Sequence, residues 1–178
     1  MKIVLITGES ILLINEKINE IVKDNKNITS FDMNANTIED VLLEAGYFSM
    51  FEEEKFIIVR NANFFGSGKL NEKEADSLLK YFENPNSLSN IIFICSEKID
   101  SRKKITKALK EKYEMITIPT LKYYEIENRV EKYFGKEGYK IDKDTVKYIV
   151  ANSLNNYDLV MNEVEKIILY YNHPSYIK

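Results

Sequence analysis

Phe56-Ile57-Ile58-Val59 is an unbroken β-branched and aromatic run, with Lys55 before it and Arg60 after it. A strand with one wet face alternates apolar and polar residues. An unbroken run of strand length therefore predicts a strand covered on both faces. Helices on each side supply that cover, so this run predicts a layered α/β core. The chain repeats the pattern up to Pro119-Thr120. Lys2–Thr7, Ile28–Met33, Asn90–Cys95 and Glu114–Ile118 read as further strands. Between them, Ile11, Leu12, Ile14, Ile18, Ile21 and Val22 mark a helix behind a Ser10 cap. Thr37–Ala45 reads as a helix closed by Gly46, Glu74–Phe82 as one closed by Asn84-Pro85, and Arg102–Lys112 as a fourth. The alternation predicts a mainly parallel, five-stranded sheet.

After Pro119-Thr120 the strand signals stop, and Tyr124–Phe134, Asp142–Ser153 and Asp158–Tyr171 read as helices. The expected division is an α/β domain over 1–120 and a small three-helix domain over 121–178, with Asn172-His-Pro174 as an exit linker. At 178 residues, 44% hydrophobic and 30% charged, the chain has the composition of a globular protein able to bury a core. A net charge of −3 gives no global case for binding nucleic acid or an anionic membrane. Cys95 is the only cysteine and His173 the only histidine, which excludes a disulfide, a Cys/His zinc site and a His-centred mechanism. Apolar runs fall far short of the ~20 residues of a membrane span. Met1–Ile6 meets Thr7-Gly8-Glu9 at once, as a first strand does and a signal peptide does not. The expected compartment is a reducing cytoplasm.

A first strand running into Gly8 and a helix is where a phosphate-binding loop would sit. That motif needs Gly, four residues, then Gly-Lys-Ser/Thr, so that amides, an ammonium and a hydroxyl hold phosphate and magnesium. Counted from Gly8, the last three places hold Leu13, Ile14 and Asn15. The strand 56–59, where acidic residues would hold magnesium, ends in Arg60-Asn61 instead. Gly66-Ser67-Gly68-Lys69 fails the same count, with Asn63 for the first glycine and Leu70 for the hydroxyl residue, and reads as a flexible surface loop. No nucleotide cofactor is expected.

Two clusters remain. Arg102, Lys103, Lys104, Lys107, Lys110 and Lys112 lie on one expected helix, with Lys103, Lys107 and Lys110 opposite Ile105, Ala108 and Leu109. They form either a solvated face or a phosphate-backbone contact involving Arg102, Lys103, Lys107 and Lys110. Between helix and strand, Tyr47-Phe48-Ser49-Met50-Phe51 is a bulky apolar stretch followed by Glu52-Glu53-Glu54. Met50 and Phe51 are either ordinary core or an exposed plug for a partner's pocket.

In order, Leu5-Ile-Thr-Gly8, Gly46–Phe51, Phe56–Ala62, Leu79–Phe82, Asn84-Pro85, Ile91–Ile94, Lys98–Lys104 and Glu163–Lys166 resemble the delta-subunit family of bacterial DNA polymerase III clamp loaders. The resemblance implies an AAA+-like (P-loop NTPase-like) sheet domain with a degenerate nucleotide site that binds no ATP, followed by a helical lid. It also implies that Met50 and Phe51, with Ser49 before them, enter a pocket on the beta sliding clamp and help to open the ring. A methionine stands where leucine is more usual. Val160 falls at the place where active relatives carry an arginine sensor. The other implied partners are the remaining loader subunits, reached through a third, collar domain that these 178 residues do not include. DNA is then met only within the assembly. The chain is expected to be a non-catalytic part of the polymerase holoenzyme. The readings from other classes are a small P-loop ATPase or kinase, and a DNA-binding module using the helix at 101–112.

Overall fold

The computed structural model describes residues 3–47, 54–171 and 176–177. They form two compact units, Met1–Ile118 and Pro119–Lys178. The first contains β1 (Ile3–Thr7), α1 (Ile11–Val22), β2 (Ile28–Asp32), α2 (Ile38–Gly46) and β3 (Lys55–Arg60). A 3-10 turn at Asn63–Phe65 follows, then α3 (Glu72–Glu83), β4 (Ser89–Cys95), α4 (Lys104–Lys112) and β5 (Glu114–Thr117).

The strands form one sheet in the order β2-β3-β4-β1-β5. Every pairing is parallel, with Val59 opposite Phe93, and Thr7 opposite both Cys95 and Thr117. Helical crossovers are what parallel neighbours require. The three inner strands are buried along almost their whole length. Val4, Ile6, Ile58, Ile92 and Ile94 on one sheet face pack with Ile14, Ile18 and Val22 of α1. Ile3, Leu5, Ile57, Val59, Ile91 and Phe93 on the other pack with α2, α3 and α4 through Val41, Phe82 and Leu109. The α/β class and the layered sheet are therefore as the unbroken runs predict. In α1 the buried stripe includes Leu13, while Ile11 is exposed. Helix boundaries also shift by one or two residues, and at α2 and α3 the local cause is plain. The helix α3 starts at Glu72, two residues early, because Asn71 and Glu74 close a reciprocal capping box. Gly46 is the last residue of α2 rather than a left-handed cap, and the chain leaves through an extended Tyr47.

The segment after β3 corrects the expectation of a flexible glycine loop. Phe64 and Phe65 are buried, with ring centroids 6.0 and 5.4 Å from Phe93. Around them the backbone is tied down: Gly66 and Gly68 N–H groups donate to Asn63 O at 2.8 and 2.9 Å, and Ser67 N–H donates to Glu97 at 2.7 Å. Gly68 is required there, because a Cβ would lie 3.0 Å from the carbonyl carbon and oxygen of Asn63.

The second unit contains α5 (Tyr123–Lys136), β6 (Lys140–Ile141), α6 (Lys143–Asn152), α7 (Tyr157–Tyr171) and β7 (Tyr176–Ile177). Ile126, Val130, Phe134, Val146, Ile149, Val150, Val160 and Val164 are among its buried apolar side chains. The parallel pairing of β6 with β7 is outside the helical expectation, and it is a sheet of its own. Two-residue strands are too short for any periodicity to register. Residues 172–174, the expected linker, lie outside the described residues.

Candidate functional site

In an open parallel sheet, ligands bind at the carboxyl ends of the strands. Here the phosphate-loop place on that edge is taken up by the chain's own side chains. The turn from β1 to α1 is only Gly8-Glu9-Ser10, and Ser10 Oγ caps the helix by accepting from Leu13 N–H at 3.2 Å. Gly8 serves close packing: a Cβ on it would lie 2.8 Å from the Cβ of Ile118. Leu13 and Ile14, at the glycine and lysine places of a phosphate loop, are buried. Asn15, at the hydroxyl place, accepts a 3.1 Å hydrogen bond from Arg60 Nη2. The two ends of a would-be nucleotide site are thus joined to each other.

Asn61 follows with a left-handed backbone (φ 56°), and its amide donates to Asp32 Oδ1 at 2.8 Å. The Asn61 amide, the Asn34 N–H and the Arg60 guanidinium hold the Asp32 carboxyl below the usual carboxylate range. On the far side Thr7 and Thr117 share a 3.2 Å hydroxyl contact. Among the described residues no three His, Cys, Asp or Glu side chains gather to hold a metal ion.

Ser49, Met50 and Phe51 lie outside the described residues. The two stems that carry them are described. Lys55, the first residue of β3, has its side chain turned inward under the end of α2. Its ammonium donates to Glu44 O, to Glu44 Oε1 at 3.2 Å and to Tyr47 O at 2.9 Å. Ala45 O accepts from Ser89 Oγ at 2.8 Å and from Asn86 Nδ2 at 2.9 Å. On the return stem, Glu54 O accepts from Asn25 Nδ2 at 3.1 Å, and Glu54 Oε1 from Asn90 Nδ2 at 2.8 Å. Beside these groups Leu43 and Tyr47 are each 67% exposed.

The basic cluster does not act as one face. Lys103 precedes α4 and donates to Phe64 O at 2.9 Å and to Gly68 O, so it braces the 3-10 turn. Arg102 is exposed and pairs with both oxygens of Asp100, at 2.9 Å each. Lys107 and Lys110 are exposed on α4, and Lys110 reaches Ser101 Oγ at 2.8 Å. The helix begins at Lys104 because Arg102 and Lys103 are held by these contacts outside it.

The family model described as DNA polymerase III, delta subunit, matches residues 4–119. The chain belongs to this family. DNA polymerase III subunit delta of Bacillus subtilis (strain 168) is 24% identical over 145 residues, which is 79% of this chain and 42% of that protein. The solved Bacillus subtilis DNA clamp loader delta protein has 20% identity and a TM-score of 0.63, covering 99% of this chain and 56% of that one. The Thermotoga maritima RuvB Holliday junction branch migration motor shares the AAA+-like fold, with a TM-score of 0.70 at 10% identity over 100% of this chain and 58% of the motor. The delta-family chain thus spans about half the length of the relatives it matches.

Within this delta-family chain Val160 is fully buried in α7, beside α5 and α6. Lys55, Asn86 and Ser89 were not singled out by the sequence. The signal that could have found them is a lysine inside the register of an otherwise apolar strand. It shares the sheet face of Ile57 and Val59, where a charge needs named partners.

Proposed function

We propose that this chain is the clamp-contacting part of a clamp-loader delta subunit, a non-catalytic accessory of the replicative polymerase. Its apolar stretch ending in Ser49-Met50-Phe51 enters a pocket on the beta sliding clamp and biases the ring toward its open form. The observation that carries this reading is the position of the stretch in a delta-family chain, between α2 and β3, on two stems held by side chains of the sheet. Opening the ring is then a population shift, driven by apolar area buried only in the complex. Residues 1–120 form the clamp-binding domain and 121–178 the lid in this reading. The remaining loader subunits are reached through a collar domain beyond these residues. The chain meets DNA only inside that assembly, where Lys107 and Lys110 offer exposed charge for a phosphate backbone. The closed carboxyl edge of the sheet supports a subunit that leaves ATP to its partners.

The test is the double substitution Met50→Ala/Phe51→Ala, followed by clamp binding and by unfolding. A plug should lose about 2–4 kcal/mol of clamp affinity, as hot-spot truncations do, with folding stability within about 0.5 kcal/mol. A variant that melts early yet binds the clamp normally while folded would return both residues to the core.

A further inference from the structure

We propose that Lys55, with Asn86 and Ser89, positions the clamp-contacting stretch. These side chains grip the last carbonyls of α2 and so set where, and in which direction, the chain leaves the helix through Tyr47. The inference rests on the clamp-binding reading above.

The first argument is the cost of Lys55 itself. It occupies a place on the Ile57 and Val59 face of β3 and is 6% exposed. A methionine of similar length would fill that place without taking a charge out of water. Replacing both partners of a buried ion pair by apolar groups is often neutral or stabilising, whereas removing the ammonium alone strands the acceptors it meets. What the ammonium supplies is direction. Its three N–H donors meet three acceptors, Glu44 O, Glu44 Oε1 and Tyr47 O. Two of those acceptors are backbone, so the lysine fixes main chain on both sides of Gly46.

The second argument is how α2 ends. Helices leave their final carbonyls without intrahelical partners, and many close with a left-handed residue that turns the chain back on itself. In α2 the chain departs extended, with Tyr47 at φ −68° and ψ 129°. Glu44 O accepts both the Tyr47 N–H at 3.1 Å and the Lys55 ammonium from β3, and Ala45 O is bonded by side chains from the turn before β4 and from β4. Asn86 is itself held, accepting from Leu88 N–H at 3.0 Å. The exit from α2 is therefore referenced to the sheet as well as to its own local turn. The return stem is treated alike, through Asn25 and Asn90 on Glu54. Stems fixed in this way leave less ordering to binding, which is how preorganisation gains affinity.

The experiment compares Lys55→Met with the unsubstituted chain for thermal unfolding and for binding to the cognate sliding clamp. It is repeated in the Met50→Ala background, where weakened binding remains measurable. Lys55→Met is expected to melt earlier than the parent, because it strands the acceptors of the ammonium. While folded, it is expected to bind the clamp about tenfold more weakly, which corresponds to about 1.4 kcal/mol. In the Met50→Ala background the same change is expected to cost under about threefold, since it acts through the residues it places. A folded Lys55→Met variant with parental affinity overturns the proposal. So does a full loss that simply adds to that of Met50→Ala, which marks a general defect rather than a positioning one. Should Lys55→Met not fold, Ser89→Ala removes one of two donors to Ala45 O and carries the same expectation at about threefold. Its parental affinity overturns the proposal equally. Clamp binding untouched by Met50→Ala/Phe51→Ala is a different result: it removes the clamp reading, and this inference with it.

Discussion

Asp100 and Arg102 form a short-range clasp ahead of α4. The guanidinium meets both carboxylate oxygens, and the Arg102 N–H adds a third contact at 3.0 Å. These bonds hold the Asp100 carboxyl at a pKa of about 2, against an ordinary 3.8. The folded value lies below the unfolded one. The stabilisation it brings is therefore present above the ordinary carboxylate range and is lost as pH falls through about 2. A carboxylate titration followed by NMR is expected to place Asp100 near that value, and Arg102→Ala to move it up toward 3.8. A midpoint near 3.8 in the parent protein would show that the clasp does not form in solution. The same clasp bears on nucleic acid, because Arg102 must exchange Asp100 for any phosphate it is to hold.

Residues 61–70 show, at the level of the element, what patterns can and cannot reveal. Asn61, Asn63, Gly66, Ser67 and Gly68 make the segment read as loop, and apart from the 3-10 turn at Asn63–Phe65 it carries no helix or strand. Yet Phe64 and Phe65 drive it into the aromatic group around Phe93, with Phe82 and Tyr113 next in line at 6.4 and 5.7 Å. Phe65→Ala is expected to cost about 3–5 kcal/mol of stability by urea unfolding, in the range of buried aromatic truncations. A loss under about 1 kcal/mol would mean that the segment is dispensable to the core. The strands were legible because each inner run is apolar without interruption, and the helices because their stripes repeat. Lys55 was not legible, because a lysine ahead of an apolar run reads as a boundary charge. Its partners Glu44 and Tyr47 lie across a connection, and Ser89 and Asn86 on another strand and turn, where no spacing rule links them. The closed nucleotide edge was legible only by negation. Leu13, Ile14, Asn15 and Arg60 were visibly the wrong residues, but the bond between Asn15 and Arg60 needed coordinates. The placement of Met50 and Phe51 rests on family resemblance and lies outside the described residues.

The whole molecule shares its fold with a branch migration motor while joining the phosphate-loop and metal places of its ligand edge to each other. Titration with Mg-ATP to millimolar levels is expected to leave the melting temperature unchanged. A ligand present at 100 times its dissociation constant would add about 2.7 kcal/mol of stability, so a saturable rise would overturn the expectation. The Arg60–Asn15 bond has a consequence of another kind. A ligand from solution can be diluted, exchanged or hydrolysed, and a protein that depends on one inherits a clock from it. In the proposed reading a contact tethered within the chain stands in place of such a ligand, and this edge then takes no timing from the energy state of the cell. A machine that includes such a part gains a fixed reference against which its moving parts can work, and any rhythm must be brought by other chains.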